Sequence, residues 1–322
     1  MKKRGKGIGA TFYGTGYGNG FPDVSNCEVE LNCQGKIVVY TGATEVGQGA
    51  KTVLSQIAAE VMGVDLDSIV LVCEDTCCTP DAGTAAASRQ TYNTGNGVRL
   101  ACIKLKEMIK KVEENHKRVK GLPDEILTMK EIYEASRAQA IILKARDSFT
   151  ACTSTMDEEN GQGSPYWPYT FSCYAVEVEV DTETGRIEVL NAYCAQDVGK
   201  AINPVLIEGQ IEGGFAMGMS WTLYEDLNLN QGIIKNNNLS KYIIPTSMDM
   251  PDICSIIVED EESTGPYGAK GIGEPVMLAA MPAILNAIHD AVGIRVTKLP
   301  ASPDYIVKKI QELDKSNLIE RK

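Results

Sequence analysis

Apolar residues recur along this chain with two periods. In 24–33, Cys27, Val29, Leu31 and Cys33 alternate with polar residues, the period of a half-buried strand. Gln34-Gly35 reads as a turn and 36–41 as the returning strand of a hairpin. The period then changes: Val53, Leu54, Ile57, Ala58 and Val61 fall at helical spacing and predict an amphipathic helix over 50–62. A strand is predicted over 69–73, a long helix over 97–120 whose charged half reads as a solvated face, a shorter helix over 130–138, and extended chain over 140–150. Clean alternation returns in 173–180, a turn follows at 181–185, and 186–196 completes a second hairpin. Helices are predicted over 204–221, 275–292 and near 303–313, with two short strands and a proline-rich stretch after the first. Hairpins and helices in mixed order predict an α+β protein of two mixed α/β subdomains, 1–155 and 165–322. The Gly-, Ser-, Asp-, Glu- and Pro-rich stretch 154–168 would link them.

Composition narrows the function. The 322 residues carry 31 Lys and Arg against 43 Asp and Glu, a net charge of −12. That balance argues against nucleic acid or an anionic membrane as partner. No apolar run is expected to approach the ~20 residues of a membrane span, and MKKRGKGIGA lacks the apolar core of a secretory signal. A cytoplasmic protein is expected. Ten cysteines lie scattered with no CxxC, and histidines stand only at 116 and 289. No metal-ligating set is expected, and most thiols should be small buried apolar groups in a reducing compartment.

Glycine is abundant, 30 residues, and marks the segments where chemistry is sought. Gly5, Gly7, Gly9, Gly14, Gly16, Gly18 and Gly20 punctuate the start. Gly209, Gly213, Gly214 and Gly218 fall inside one predicted helix, where each costs ~1 kcal/mol against alanine, so a neighbour or ligand should approach that backbone closely. The loop 42–52 lacks the Gly-Lys-Ser/Thr of a phosphate loop, and no GxGxxG is complete, since Phe21 and Val276 stand where third glycines belong. Gly47-Gln48-Gly49 opens a helix, where free N–H groups favour an anion; Gln48 is either a bystander there or a donor and acceptor for an oxo or pterin ligand. Small residues in 83–87 lead to Ser88-Arg89-Gln90-Thr91, either a helix N-cap or a ligand approach with Arg89 neutralising phosphate. Glu274 precedes Pro275 at the start of an apolar helix, either as its cap or as a general base.

Five segments occur in one order: Val46-Gly-Gln-Gly49, Thr84-Ala-Ala-Ala-Ser-Arg-Gln-Thr91, Asp197-Val-Gly-Lys-Ala-Ile-Asn-Pro204, Gly209-Gln-Ile-Glu-Gly213 and Lys270-Gly-Ile-Gly-Glu-Pro275. In this set and order the chain resembles the molybdenum hydroxylases of the xanthine dehydrogenase/aldehyde oxidoreductase family, over nearly its whole length. It is similar to the C-terminal half of their molybdopterin-binding region, as in split subunits like the medium chain of nicotinate dehydrogenases.

The resemblance implies two subdomains of the molybdenum-cofactor-binding type, the second carrying Glu274 as the catalytic glutamate. Gly47, Gln48 and Gln210 would contact the cofactor, Ala87, Ser88, Arg89, Gln90 and Thr91 would hold its pterin and diphosphate, and Lys200 and Asn203 would assist. Phe12 and Tyr13 would line the substrate pocket or simply pack. The implied cofactor is molybdenum with molybdopterin cytosine dinucleotide and a sulfido or selenido ligand, and the glycines are expected to cluster around it. A larger molybdopterin subunit, a [2Fe-2S] iron–sulfur subunit and an FAD subunit are the implied partners. The implied reaction is hydroxylation of an N-heterocycle, nicotinate to 6-hydroxynicotinate, with oxygen from water. Purine, aldehyde or carbon monoxide oxidation, or a non-catalytic cofactor carrier, are the alternatives.

Overall fold

Hydrophobic alternation builds two separate four-stranded sheets. The computed structural model describes every residue except 19, 20, 22, 122, 125, 321 and 322, and the side chains of 316–320; Gly20 thus lies outside the described residues. In chain order the elements are β1 (Lys2–Gly14), β2 (Val24–Leu31), β3 (Ile37–Tyr40), α1 (Ala50–Met62), β4 (Ile69–Val72), α2 (Gly95–Lys120), α3 (Met129–Ala138) and β5 (Lys144–Thr150). Then follow β6 (Tyr169–Asp181), β7 (Ile187–Asp197), α4 (Pro204–Leu223), β8 (Leu229–Asn230), β9 (Ile233–Ile234) and β10 (Asp252–Val258). Helices α5 (Pro275–Leu278), α6 (Ala280–Val292) and α7 (Pro303–Glu320) close the chain. The α+β expectation holds.

The first sheet has the order β4-β3-β2-β5, with only β3 and β4 parallel. Its apolar side, Cys27, Val29, Leu31, Ile37 and Val39, packs on Leu54 and Ile57 of α1 and on Val98, Ala101 and Leu105 of α2. The second sheet has the order β1-β6-β7-β10, antiparallel except for β7 with β10. Tyr174, Val176, Val178 and Val180 of β6 form its core with Phe215 of α4 and Ile284 and Ile288 of α6.

The expected first unit, 1–155, is corrected at its start. β1 leaves that unit and pairs with β6 along its whole length, from Lys2 opposite Asp181 to Gly14 opposite Tyr169. Its glycines explain why. Gly5, Gly7 and Gly9 face Ala279 and, on α6, Ala283, Ala287 and Ala291, and a Cβ on Gly7 would lie 2.2 Å from the Ala287 nitrogen. This glycine–alanine seam lets helix and strand touch backbone to backbone, so these glycines serve packing and no ligand. In α4 the expectation divides. Gly214 and Gly218 press on Val276 and Ala280, whereas a Cβ at Gly209 or Gly213 would meet open space.

Two more expectations change. The stretch Pro275–Val292 is 18 residues with mean hydropathy 1.4, long and apolar enough for a membrane span, yet half of it is buried inside this fold. Its hydrogen-bond ladder is also interrupted: Pro282 cannot donate to the carbonyl of residue 278, and Ala279, still at helical backbone angles, separates α5 from α6. Of the ten free cysteines only Cys27, Cys102 and Cys194 are buried, while Cys33, Cys77, Cys78, Cys152, Cys173 and Cys254 are exposed. Strand alternation and turn positions turn those six outward.

Candidate active site between the two units

The loop after β3, the turn 83–91, the first half of α4 and the loop before α5 surround a cleft of about 500 Å³. Gln48, Ser88, Gln90, Thr91, Gln210 and Glu274 all line it, so four of the five motif segments meet there. A smaller adjoining hollow is lined by the remaining one, through Lys200 and Asn203.

Glu274 stands at the N-cap position of α5 but makes no capping hydrogen bond. Its carboxylate turns instead to the 87–88 turn. The Ala87 N–H donates to Oε1 at 2.8 Å, the Ser88 hydroxyl donates to Oε2, and the Glu274 N–H donates to Ser88 Oγ at 2.9 Å. Ala87 and Ser88 hold φ values of 58° and 52°, left-handed conformations that cost roughly 1–3 kcal/mol each for such residues. The surroundings enforce them: the Gly16 N–H binds the Ala87 carbonyl at 3.0 Å, and Gly271 lies so close that a Cβ there would sit 1.6 Å from the Ser88 carbonyl oxygen.

Tyr13 reaches this cluster from β1. Burial, then the charge of Glu274, push its hydroxyl up to about 12, so it stays a proton donor at neutral pH. Phe12 does not share the site. Neighbours on a strand point to opposite faces, and Phe12 is 67% exposed beside Tyr169 and Phe171 on the far side of the sheet.

The anion site expected at the start of α1 is already filled. Glu45 accepts the N–H groups of Gly47, Gly49 and Lys51 at 2.8, 3.0 and 3.0 Å. Burial raises its pKa, but these three amides outweigh it and hold the carboxyl below its usual 4.5. Gln48 accepts from the Val46 N–H at 2.7 Å and donates to the Thr44 carbonyl at 3.0 Å and to Gln90 Oε1. Gln90 in turn donates to the same Thr44 carbonyl at 3.1 Å. The two carboxamides are thus joined, and Gln210 lines the same cleft.

Comparison with known proteins now decides the family. A model described as a molybdopterin cofactor-binding domain matches residues 1–251. The chain belongs to this molybdenum hydroxylase family. It is 32% identical over 333 aligned positions to the putative xanthine dehydrogenase molybdenum-binding subunit of Escherichia coli K12, covering 95% of this chain and 42% of that protein. Aldehyde oxidoreductase from Desulfovibrio gigas has a TM-score of 0.85 at 31% identity over 96% of this chain and 33% of that one. Quinoline 2-oxidoreductase from Pseudomonas putida 86 scores 0.84 at 26% identity over 97% of this chain and 42% of its own. This chain therefore spans less than half the length of these relatives.

The cleft suits molybdopterin by its donor set. It presents neutral carboxamides, with the Gln210 side chain making no hydrogen bond to any described residue, and the bare backbone of Gly213, which opens to empty space. The expected cationic contacts are corrected. Arg89 borders the cleft, but its guanidinium is 1% exposed and spends every N–H inside the protein. It pairs with Asp23 and donates to the carbonyls of Ala82, Thr84 and Val24 and to Ser25 Oγ. Lys200 is paired with Glu259 at 3.0 Å, and Asn203 caps α4 by accepting the Leu206 N–H at 3.1 Å. Gly47 spends its N–H on Glu45.

Sequence reasoning overlooked Lys270 and Asp197, buried partners at 2.8 Å that tie the third and fifth motif loops together. It also overlooked Met217, Met277 and Ile272, which line the cleft. Met217 was findable, because 210, 213, 214 and 217 share one face of a helix.

Proposed function

We propose that this chain is the catalytic molybdopterin-binding part of a multi-chain hydroxylase that oxidises an N-heterocycle, nicotinate to 6-hydroxynicotinate, with water as oxygen source. The observation that carries the reading is Glu274, a carboxylate held at the wall of the cleft by an amide and hydroxyls instead of by a cation. When bound, the cofactor, which we take to be the cytosine dinucleotide form, supplies the two-electron redox centre and the Lewis acidity of the site. Gln48, Gln90 and Gln210 are placed to hold it with donors and acceptors, and Ser88 and Thr91 border the same space. Glu274 accepts the proton released from the oxygen nucleophile. Tyr13, kept protonated beside Glu274, is suited to donate to a ring nitrogen, which supports the N-heterocycle; the likeness to quinoline 2-oxidoreductase supports it as well. Electrons would leave through [2Fe-2S] and FAD partner subunits, with a larger molybdopterin subunit completing the site.

Glu274→Gln tests the reading. Removing a general base lowers turnover by roughly 10²–10⁴-fold, while molybdenum content and assembly stay at wild-type levels. Turnover within twofold of wild type on a panel of pyridines, purines and aldehydes would remove Glu274 from the chemistry. Preference for aldehydes in that panel would replace the N-heterocycle with the second substrate class, which the higher identity to the aldehyde oxidoreductase favours.

A further inference from the structure

The two sheets differ in what they show on their open sides. On the first sheet the side away from α1 and α2 is polar: Glu28 lies opposite Arg146 and Glu30 opposite Lys144, and Lys144 pairs with Glu28 at 2.6 Å. That is how a solvated sheet face reads. The side of the second sheet away from α4 and α6 is charged at one end, where Lys2 and Arg4 pair with Glu179, and apolar at the other. Strand register sets Ile8 opposite Ala175, Ala175 opposite Tyr193, and Tyr193 opposite Cys254, one row across all four strands. A second row runs Ala10, Cys173, Ala195, Ile256. Phe12 opposite Phe171 begins a third. The large members, Ile8, Phe12, Phe171, Tyr193, Ile256 and Val258, are 43–67% exposed. Contiguous apolar surface of this extent marks an interaction site.

The occupant follows from length. The alignment consumes 95% of this chain but only 42% of the Escherichia coli relative, so the relatives carry more than half their polypeptide outside the matched fold. We propose that the polypeptide equivalent to that unmatched part docks on the outer face of the β1-β6-β7-β10 sheet. This rests on the reading that the chain works inside a larger molybdenum hydroxylase, and it adds which surface the assembly uses.

Cys173 and Cys254 report on this face, since both are exposed on it, while Cys33 and Cys78 are exposed on the other unit. The chain, tagged and purified from its own source with whatever accompanies it, is treated with iodoacetamide before and after dissociation in mild urea. Alkylation is read by peptide mass spectrometry. In the assembly, Cys173 and Cys254 should react at least tenfold more slowly than in the separated chain, with Cys33 and Cys78 unchanged. Lysine crosslinks near this face should reach a polypeptide whose sequence matches the family outside this chain's matched region. The double variant Tyr193→Asp/Ile256→Asp should lose that polypeptide at least tenfold while keeping its thermal midpoint, because both side chains are exposed. Equal labelling in both states, crosslinks only to a second copy of this chain, or an active monomer would each overturn the proposal. Free labelling of both cysteines in an active complex in which Glu274→Gln abolishes turnover would reject this face alone and leave the catalytic reading standing.

Discussion

Arg89 is where the sequence and the structure disagree most sharply about a role, and one substitution separates them. The guanidinium is 1% exposed and its partner Asp23 is 5% exposed. Replacing Arg89 with methionine leaves a buried carboxylate without its cation, a loss of about 3–5 kcal/mol. It also strips donors from the carbonyls of Ala82, Thr84 and Val24. At roughly 2–4 °C per kcal/mol for a unit of this size, the thermal midpoint should fall by about 6–20 °C. The second change is the diagnostic one. In Asp23→Leu/Arg89→Met both charges are gone, so the part of the loss due to the orphaned carboxylate should return, while the part due to the unpaired carbonyls stays. Circular dichroism melts on the wild type, both single variants and the double variant give the answer in one series. A phosphate-binding arginine predicts the reverse: a melt unchanged without cofactor, and cofactor content that falls in Arg89→Met and does not recover in the double variant. That pattern would refute the structural role.

Three further substitutions probe the framework. Gly271→Ala puts a Cβ 1.6 Å from the Ser88 carbonyl oxygen, so the loop carrying Glu274 must shift by about 1 Å and turnover should drop on the order of 10²-fold; wild-type kinetics would mean that the loop relaxes freely. Glu45→Gln weakens the α1 N-terminus by about 0.5–2 kcal/mol. Because the Glu45 carboxyl is held below its usual 4.5, its contribution is present above that pH and lost as pH falls through the depressed value. The gap in urea midpoint between wild type and variant should therefore close in acid, and a gap constant from pH 7 to pH 3 would contradict the assignment. Gly7→Val drives a side chain to within 2.2 Å of the Ala287 nitrogen, which should cost about 1–3 kcal/mol or more and open β1 to hydrogen exchange; unchanged protection of β1 would count against the seam.

What could be read from the residues depended on whether the cause was local. α1 spans Ala50–Met62 as its spacing predicts, and β6 and β7 follow their alternation, because one buried face writes its period into the sequence. β1 carries no such signal. Its buried positions are Gly5, Gly7 and Gly9, whose value is the absence of a side chain, and the reason lies about 280 residues away on α6. The site divides in the same way. Gln48, Ser88, Gln90, Thr91, Gln210 and Glu274 share one cleft as the motifs implied. The fate of Arg89 was illegible, because nothing near it points to Asp23, 66 residues earlier. Phe12 and Tyr13 were separable in principle, since adjacent strand residues face opposite ways, but only once 2–14 is known to be a strand.

The pairing of charges explains how Glu274 comes to be available. Every cation that the motif segments contribute to this region is neutralised elsewhere: Arg89 by Asp23, Lys270 by Asp197 and Lys200 by Glu259. Among the described residues no ion pair involves Glu274; its partners are the Ala87 amide and the Ser88 hydroxyl, with Tyr13 alongside. A partly buried salt bridge would pin the carboxylate, and breaking it would cost several kcal/mol at each proton transfer. A hydroxyl contact is worth about 1 kcal/mol net and can be exchanged for a ligand contact. Ser88 is suited to that exchange, because its oxygen also accepts the Glu274 N–H at 2.9 Å. The serine could release the carboxylate while still holding the Glu274 amide, which is what a general base at this position would require.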